Sequence, residues 1–365
     1  MKLILCGDIC PTSVTEPAFD NGDLDALMGD TLPVIQRGDY SIANLECALT
    51  ESDTPIRKMG PNLRGKTDYA YVISDCGFTH MGLSNNHVMD FGLMGVYDTL
   101  ECVSAACMQP FGFGADDQDS RKPLFLEKDG KTVAVVAVCE HEYSYALPDQ
   151  PGCNPFDPFD TMEDIALAKE KADHVVVMYH GGKEQCEYPS PRLRKACRAM
   201  VRAGADLVLT QHSHCIGCEE DYRGGKIVYG QGNFNFVWPE RDDPQWESGL
   251  MLEADFTDGL ALTYHPVVVT DTGITLAKGE EREALLSAYF ERSKLLQDDE
   301  KWMDAWKTFC ESMPYYIDAV RDAFTDIPEG DRTAQRFPHY LDCEAHLDVF
   351  MQLYKTWHAE KKTGA

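Results

Sequence analysis

The sequence is poor in positive charge. Against 61 Asp and Glu it sets only 33 Lys and Arg in 365 residues, for a formal net charge of -28 and a pI near 4.6. A field of that sign repels phosphate backbones, which argues against nucleic acid and an anionic membrane surface as partners. Long hydrophobic runs are missing as well. None approaches the roughly 18 residues that a membrane helix needs, and the longest β-like block, VAVVAV, reads as a buried strand. The opening MKLILCGD has one lysine and four apolar residues before Gly-Asp. That is too short for the apolar region of a signal peptide, so it reads as a first strand, and the expectation is a cytoplasmic protein without a membrane anchor. Repeats and low-complexity segments are absent. The 14 cysteines are scattered through a long chain, which favours reduced thiols over a disulfide framework. Cys215 and Cys218 form a C-x-x-C, but no second such pair accompanies it, and chance is the better explanation.

What is present is a rhythm. At 44% hydrophobic the chain can bury one large domain with an appendage, or two domains. Short apolar runs alternate with amphipathic stretches at about 66–75, 92–107, 161–172 and 190–203, the last stopping at Gly204. This is the signature of a mostly parallel α/β sheet. Turn pairs in EKDGKT, YRGGKIVY and FTDGLALTYHPVVVT predict hairpins and a second, antiparallel sheet region. From about residue 278 the pattern becomes helical, and its Tyr and Trp residues after 289 fall at helical spacings expected of a core. The expected division is a catalytic domain over 1–275 and a helical C-terminal extension over 276–365 packed on it.

The strand ends carry the chemistry. LILC runs into Asp8, YSIANL into Glu46, FTHMGLS into Asn86 and His87, HVVVMY into His180, and DLVL into His212 and His214. Open α/β folds keep their sites at such strand ends. In an extended strand His212 and His214 would point to opposite faces; at a turn both can swing to one point. Asp8, Glu46, Asn86, His180, His212 and His214 together offer the oxygen and imidazole ligands that one or two divalent ions take, and a carboxylate shared between two ions suits phosphoryl chemistry.

The blocks GDICPT, NLECALT, LSNNHVMDFG, YHGGKEQCEYPSP and GADLVLTQHSHCIGCEEDYRGGKIVYGQGNF, in that order, resemble the CapA family of capsule or poly-γ-glutamate synthesis proteins, which is similar to the calcineurin-like metallophosphoesterases. The resemblance covers roughly residues 2–236 and not the helical tail. It implies a metallophosphoesterase-like α/β/β/α sandwich with a metal centre (Mn, Zn or Fe) at the strand ends. It also implies that Glu46 stands where the bridging Asp of the phosphoesterases lies, and that His87 is the catalytic histidine near the leaving group. The phosphoesterase pattern has a histidine two residues after its first Asp, whereas this chain has Cys10. The set Asp8, Glu46 and His214 therefore lacks an imidazole, while Glu46, Asn86, His180 and His212 are complete, and unequal sites are expected.

Other residues complete the reading. Asp90, three residues after His87, is expected to hold that imidazole and keep it cationic near neutral pH. Arg64 is a candidate for a substrate phosphate or carboxylate. His141 and Glu142, just after VAVVAV, sit where a sixth strand end would open on the site, and Asn233 falls in a family block; these three are further substrate-binding candidates. The expected function is metal-dependent hydrolysis of a phosphoester, on a small-molecule or polymer substrate with an anionic group. Processing of poly-γ-glutamate or a related amide polymer, or a non-enzymatic role in capsule assembly, are the alternatives. Oligomeric state is not readable from the sequence.

Overall fold

The computed structural model describes residues 1–238, 243–324 and 335–363. Two sheets form the centre. The first has seven strands in the order Ile274–Leu276, Ala261–Val269, Ser248–Asp255, Lys2–Ile9, Tyr40–Leu45, His80–Gly82 and Gln109–Phe111. The second has six, in the order Ile216–Tyr222, Gly225–Gln231, Leu207–Gln211, His174–His180, Lys131–Cys139 and Leu124–Lys128. Each holds a block of parallel neighbours with antiparallel strands at its margin.

Alternation along the strands builds the layers, because successive side chains leave opposite faces. Leu3, Leu5, Val133, Val135, Val176, Met178, Leu250 and Leu252 join one cluster between the two sheets. Their neighbours Ile4 and Cys6 face the helices Tyr69–Asp75 and Gly92–Ala105. On the other side Ala134, Val136, Val175 and Val177 face Asp160–Lys171 and Pro191–Ala203. The result is an α/β/β/α sandwich. Pro191–Ala203 starts where expected because Ser190 Oγ accepts from Leu193 N, and it stops at Gly204, whose φ of 127° suits glycine.

Three expectations need correction. The antiparallel strands do not make a second sheet: Ser248–Asp255 pairs with Lys2–Ile9, and the other hairpins extend the six-stranded sheet. The YRGGKIVY turn is made by Arg223 and Gly224, both at positive φ, and the second glycine starts the next strand. Three short helices, Glu16–Asn21, Leu24–Met28 and Leu32–Gln36, were not anticipated; they are too short to show a periodic pattern.

Among the described residues from Gly279 onward the chain forms the helices Gly279–Leu296, Asp299–Glu311, Tyr316–Asp322, Arg336–Asp342 and Glu344–Thr363. Trp306, Cys310, Tyr316, Tyr340, Val349 and Leu353 share a core there, and Tyr289 reaches the inter-sheet core. Not all the tail aromatics are buried as expected; Tyr315, Tyr354 and Trp357 are exposed. Hydrogen bonds and ion pairs tie these helices to the sandwich, including Trp302 Nε1 to Pro189 O at 2.9 Å and Arg192 to Asp348 at 3.0 Å. All fourteen cysteines are free. Among the described residues no helix is long and apolar enough to cross a membrane.

Candidate metal centre

The strand ends meet at one end of the sandwich. Gly7 lets this happen: a Cβ there would sit 2.3 Å from the Gly232 carbonyl oxygen, so only glycine allows the chain to bring Asp8 alongside Asn233. Asp8 is fully buried, its Oδ1 accepting from Asn44 Nδ2 at 2.7 Å and its Oδ2 from His212 N at 3.3 Å. The two histidines that an extended strand would set apart are brought together by their backbone. His212 has φ 75° and His214 φ 51°, left-handed conformations that cost roughly 1–2 kcal/mol each for a residue with a Cβ. Strain of this kind persists where the surroundings impose it.

Glu46 lies at the centre. Its Oε1 is 3.2 Å from His180 Nε2 and 3.8 Å from His214 Nε2. Asp8, Glu46 and His180 offer ligand atoms within 4.8 Å of one another, and so do Glu46, His212 and His214. Glu46 thus belongs to both groups. Asn86 Oδ1 is 3.0 Å from His180 Nε2, which is 3.2 Å from His212 Nδ1. His214 Nδ1 is also 3.9 Å from Asp8 Oδ2, so the six residues form one continuous cluster. Cys10 stands outside both candidate ligand groups. It is buried beside Cys47, its Sγ faces Pro11 O, and burial pushes its pKa well up.

The cluster resists charge as it stands. Burial, with Glu46 next, pushes Asp8 up to about 8, and burial pushes Glu46 well above the carboxylate range. The same burial lowers His180 and His212. Neither Glu46 oxygen has a hydrogen-bond partner, which in a buried carboxylate is a rare and expensive state. A bound cation would satisfy those oxygens and favour ionised carboxylates beside neutral imidazoles. The donor set therefore fits divalent metal.

Beside the cluster is a cavity of about 40 Å³ lined by Asn86, His87, Lys58, Glu142, Glu184 and Trp246, among others. Asn85 shapes its wall. Its Oδ1 accepts from His87 N and Val88 N, both at 3.0 Å, and its Nδ2 donates to Leu45 O. His87 Nδ1 is 2.7 Å from Asp90 Oδ2, the predicted partner. The expected cationic state does not follow. Burial, then the Lys58 ammonium 3.0 Å from the same ring nitrogen and ion-paired to Asp90, lowers the His87 pKa against the pull of Asp90.

The other expected residues divide. Glu142 reaches the site, with Oε2 3.4 Å from His212 Nε2. Asn233 reaches it too, its Oδ1 2.8 Å from His214 Nδ1. His141 does not, because its Nδ1 is 2.8 Å from Glu344 Oε1 and its backbone N–H donates to Glu344 Oε2, which ties it to the tail. Arg64 lies in an adjoining groove with Pro11, Thr12, Glu16 and Trp238, its guanidinium donating to Ser52 O and stacked over Phe91. Cys215 and Cys218 are buried thiols with raised pKa, outside the candidate ligand groups.

Sequence reasoning missed Asn44, Lys58, Glu184, His339 and His346. Asn44 had a signal: a polar residue inside an apolar strand, two before Glu46 and so on its face. Lys58 is buried in a segment without regular structure and had none.

The sandwich is an α/β/β/α fold with buried carboxylates and imidazoles at its strand ends. The chain belongs to the family described as bacterial capsule synthesis protein PGA_cap, whose model matches residues 2–237. It is 29% identical over 245 residues to the capsule biosynthesis protein CapA of Bacillus anthracis, covering 65% of this chain and 60% of that one. It is 31% identical over 239 residues to the PGA biosynthesis protein CapA of Bacillus subtilis (strain 168), covering 63% and 62%. The matches thus span about three fifths of those relatives' length. A hypothetical protein of known structure from Thermus thermophilus aligns with 73% of this chain and 98% of its own, at 18% identity and a TM-score of 0.46.

Proposed function

We propose that this chain is a divalent-metal-dependent hydrolase, and that a phosphoester is the substrate its site suits best. One observation carries the reading: Glu46, buried with neither oxygen hydrogen-bonded, is shared by two groups of potential ligands. Asp8, Glu46, Asn86, His180, His212 and His214 would hold one or two ions such as Mn²⁺, Zn²⁺ or Fe²⁺. Those ions would supply Lewis acidity and an activated water.

The protein's own groups do the rest. Asn44 fixes the Asp8 carboxylate from one side, and Asn233 fixes the His214 ring. Lys58, 1% exposed and lining the cavity, offers positive charge to an anionic substrate group in an otherwise acidic molecule. His87, held by Asp90, orients the leaving oxygen or a water at the cavity wall. We take 1–275 as the catalytic domain and the helices from Gly279 onward as its extension.

The names of the relatives, a capsule biosynthesis protein and a PGA biosynthesis protein, support a second reading, processing of poly-γ-glutamate or a related amide polymer, and leave a non-enzymatic accessory role in capsule synthesis as a third. The test is metal analysis of protein purified without chelator, followed by phosphomonoesters, phosphodiesters and γ-glutamyl peptides offered to the wild type and Glu46→Gln. Metal-dependent phosphoester turnover that Glu46→Gln removes is expected. Turnover of γ-glutamyl peptides alone would move the assignment to the amide. A folded protein that takes up no divalent ion would overturn the metal reading.

A further inference from the structure

We propose that Glu142, His339 and His346 form a separate divalent-cation site, joined to the strand-end cluster through the two oxygens of Glu142. Their ligand atoms lie within 4.8 Å of one another. Glu142 Oε1 is 3.6 Å from His339 Nε2, while Oε2 is 3.4 Å from His212 Nε2. The first separation is already close to the roughly 3.4 Å expected between two ligand atoms held about 2.1 Å from a tetrahedral ion. One carboxylate therefore faces two histidine clusters, one with each oxygen.

The imidazoles are set for the task. His346 Nδ1 is hydrogen-bonded to Tyr316 Oη at 2.5 Å, leaving Nε2 to bind, and such outer hydrogen bonds are how ligating histidines are oriented. His339 is stacked on Tyr143 and meets His346 edge-on, with ring centroids 4.9 and 4.4 Å apart. Lys183 is close enough to act on both rings and opposes a cation, but its ammonium is paired with Glu184 at 3.5 Å. Glu142 and Glu184 together outweigh it by one negative charge. His339 also borders a cavity of about 540 Å³ lined by Tyr143, Gln335, Pro338, Leu341 and Asp342, which gives an ion a way in.

Two imidazoles and one carboxylate select a borderline ion, Zn²⁺, Mn²⁺ or Fe²⁺, and leave coordination positions for water or a substrate oxygen. Two of the three ligands lie beyond the residues 2–237 matched by the family model. The site is thus built by the tail against the rim of the sandwich and not by the family's motifs. It does not rest on the hydrolase reading, since it requires only that a cation bind.

The experiment counts Zn²⁺ retained by the full chain after metal removal, reloading and desalting, in the wild type, His339→Gln, His346→Gln and Glu46→Gln. Each histidine variant is expected to hold one ion fewer than the wild type. Glu46→Gln should lose ions from the strand-end cluster and keep this one. Equal counts in the wild type and both folded histidine variants would overturn the proposal. Should a histidine variant unfold, amide exchange in Glu46→Gln decides: Zn²⁺ is expected to slow exchange around His346 in the helix Glu344–Thr363, and an unchanged rate overturns it.

Discussion

The two histidine–carboxylate clusters are built in different ways. Asp8, Glu46, His180 and the His212–His214 pair sit at or just past the ends of hydrogen-bonded strands, so the ladders fix their backbones. The Glu142 cluster takes one group from a loop after Lys131–Cys139 and two from helices that touch the sandwich through side chains. A strand-end site is as rigid as its sheet. A site assembled from docked helices exists only while the docking holds, and segments held by fewer buried contacts open at lower free energy.

The largest expected effect tests the rigid side. Glu46→Gln removes the shared ligand, and the loss of metal affinity and turnover should exceed the roughly 10- to 100-fold typical of deleting a metal's outer hydrogen-bond partner. Metal content and steady-state rates check it, and unchanged values would remove Glu46 from the centre. Next, Trp306→Ala empties a fully buried position in the tail core. A cost of about 3–5 kcal/mol is expected for such a deletion, read by denaturant melts, with the strand-end metal retained. Loss of that metal would show that the two regions are not separable.

Smaller effects sharpen the contrast. Asn44→Leu removes the donor that holds Asp8 Oδ1, and about 10- to 100-fold in metal affinity should go with it while the tail stays docked. Metal titration and amide exchange read the two halves of that statement, and an unchanged affinity would make Asn44 merely structural.

The smallest effect belongs to the His141–Glu344 contact. Its hydrogen bond with Glu344 raises His141 above the ordinary 6.5, and Glu344 is lowered below 4.5 because His141 and neighbouring donors outweigh burial. A raised histidine contributes fully below 6.5 and loses its contribution as pH rises through the folded value. A lowered glutamate contributes above 4.5 and loses it as pH falls. Tail docking is therefore strongest between those two values. The protection factor of amides near Glu344, which takes out the intrinsic pH dependence of exchange, should fall a few-fold at about pH 8.5 relative to about pH 5.5, the scale of a partly exposed ion pair. His141→Ala should flatten the profile, and an identical profile in that variant would assign the dependence to another group.

The sandwich and the strand-end residues were legible because both are local patterns. Period-2 apolar runs define strands, and a polar residue at the end of each run marks where the chain leaves the sheet. VVV at 175–177 could only be a strand buried on both faces, and His180 follows it at the sheet's edge. The Asn85 turn that presents His87 also lies within four consecutive residues of the sequence.

By itself, then, the sequence determined the α/β alternation, the order of the strand ends that carry the candidate ligands and the family that the chain joins. The tertiary structure alone decided the left-handed backbone that turns His212 and His214 inward. It alone brought buried Lys58 beside His87, sent His141 to Glu344, and placed His339 and His346 against Glu142. The physical reason is range. Hydrophobic period and turn chemistry act over a few residues and are written in order along the chain, whereas these contacts join residues 29 to about 200 positions apart. Such contacts are chosen by packing and charge only after the sheets and helices have formed.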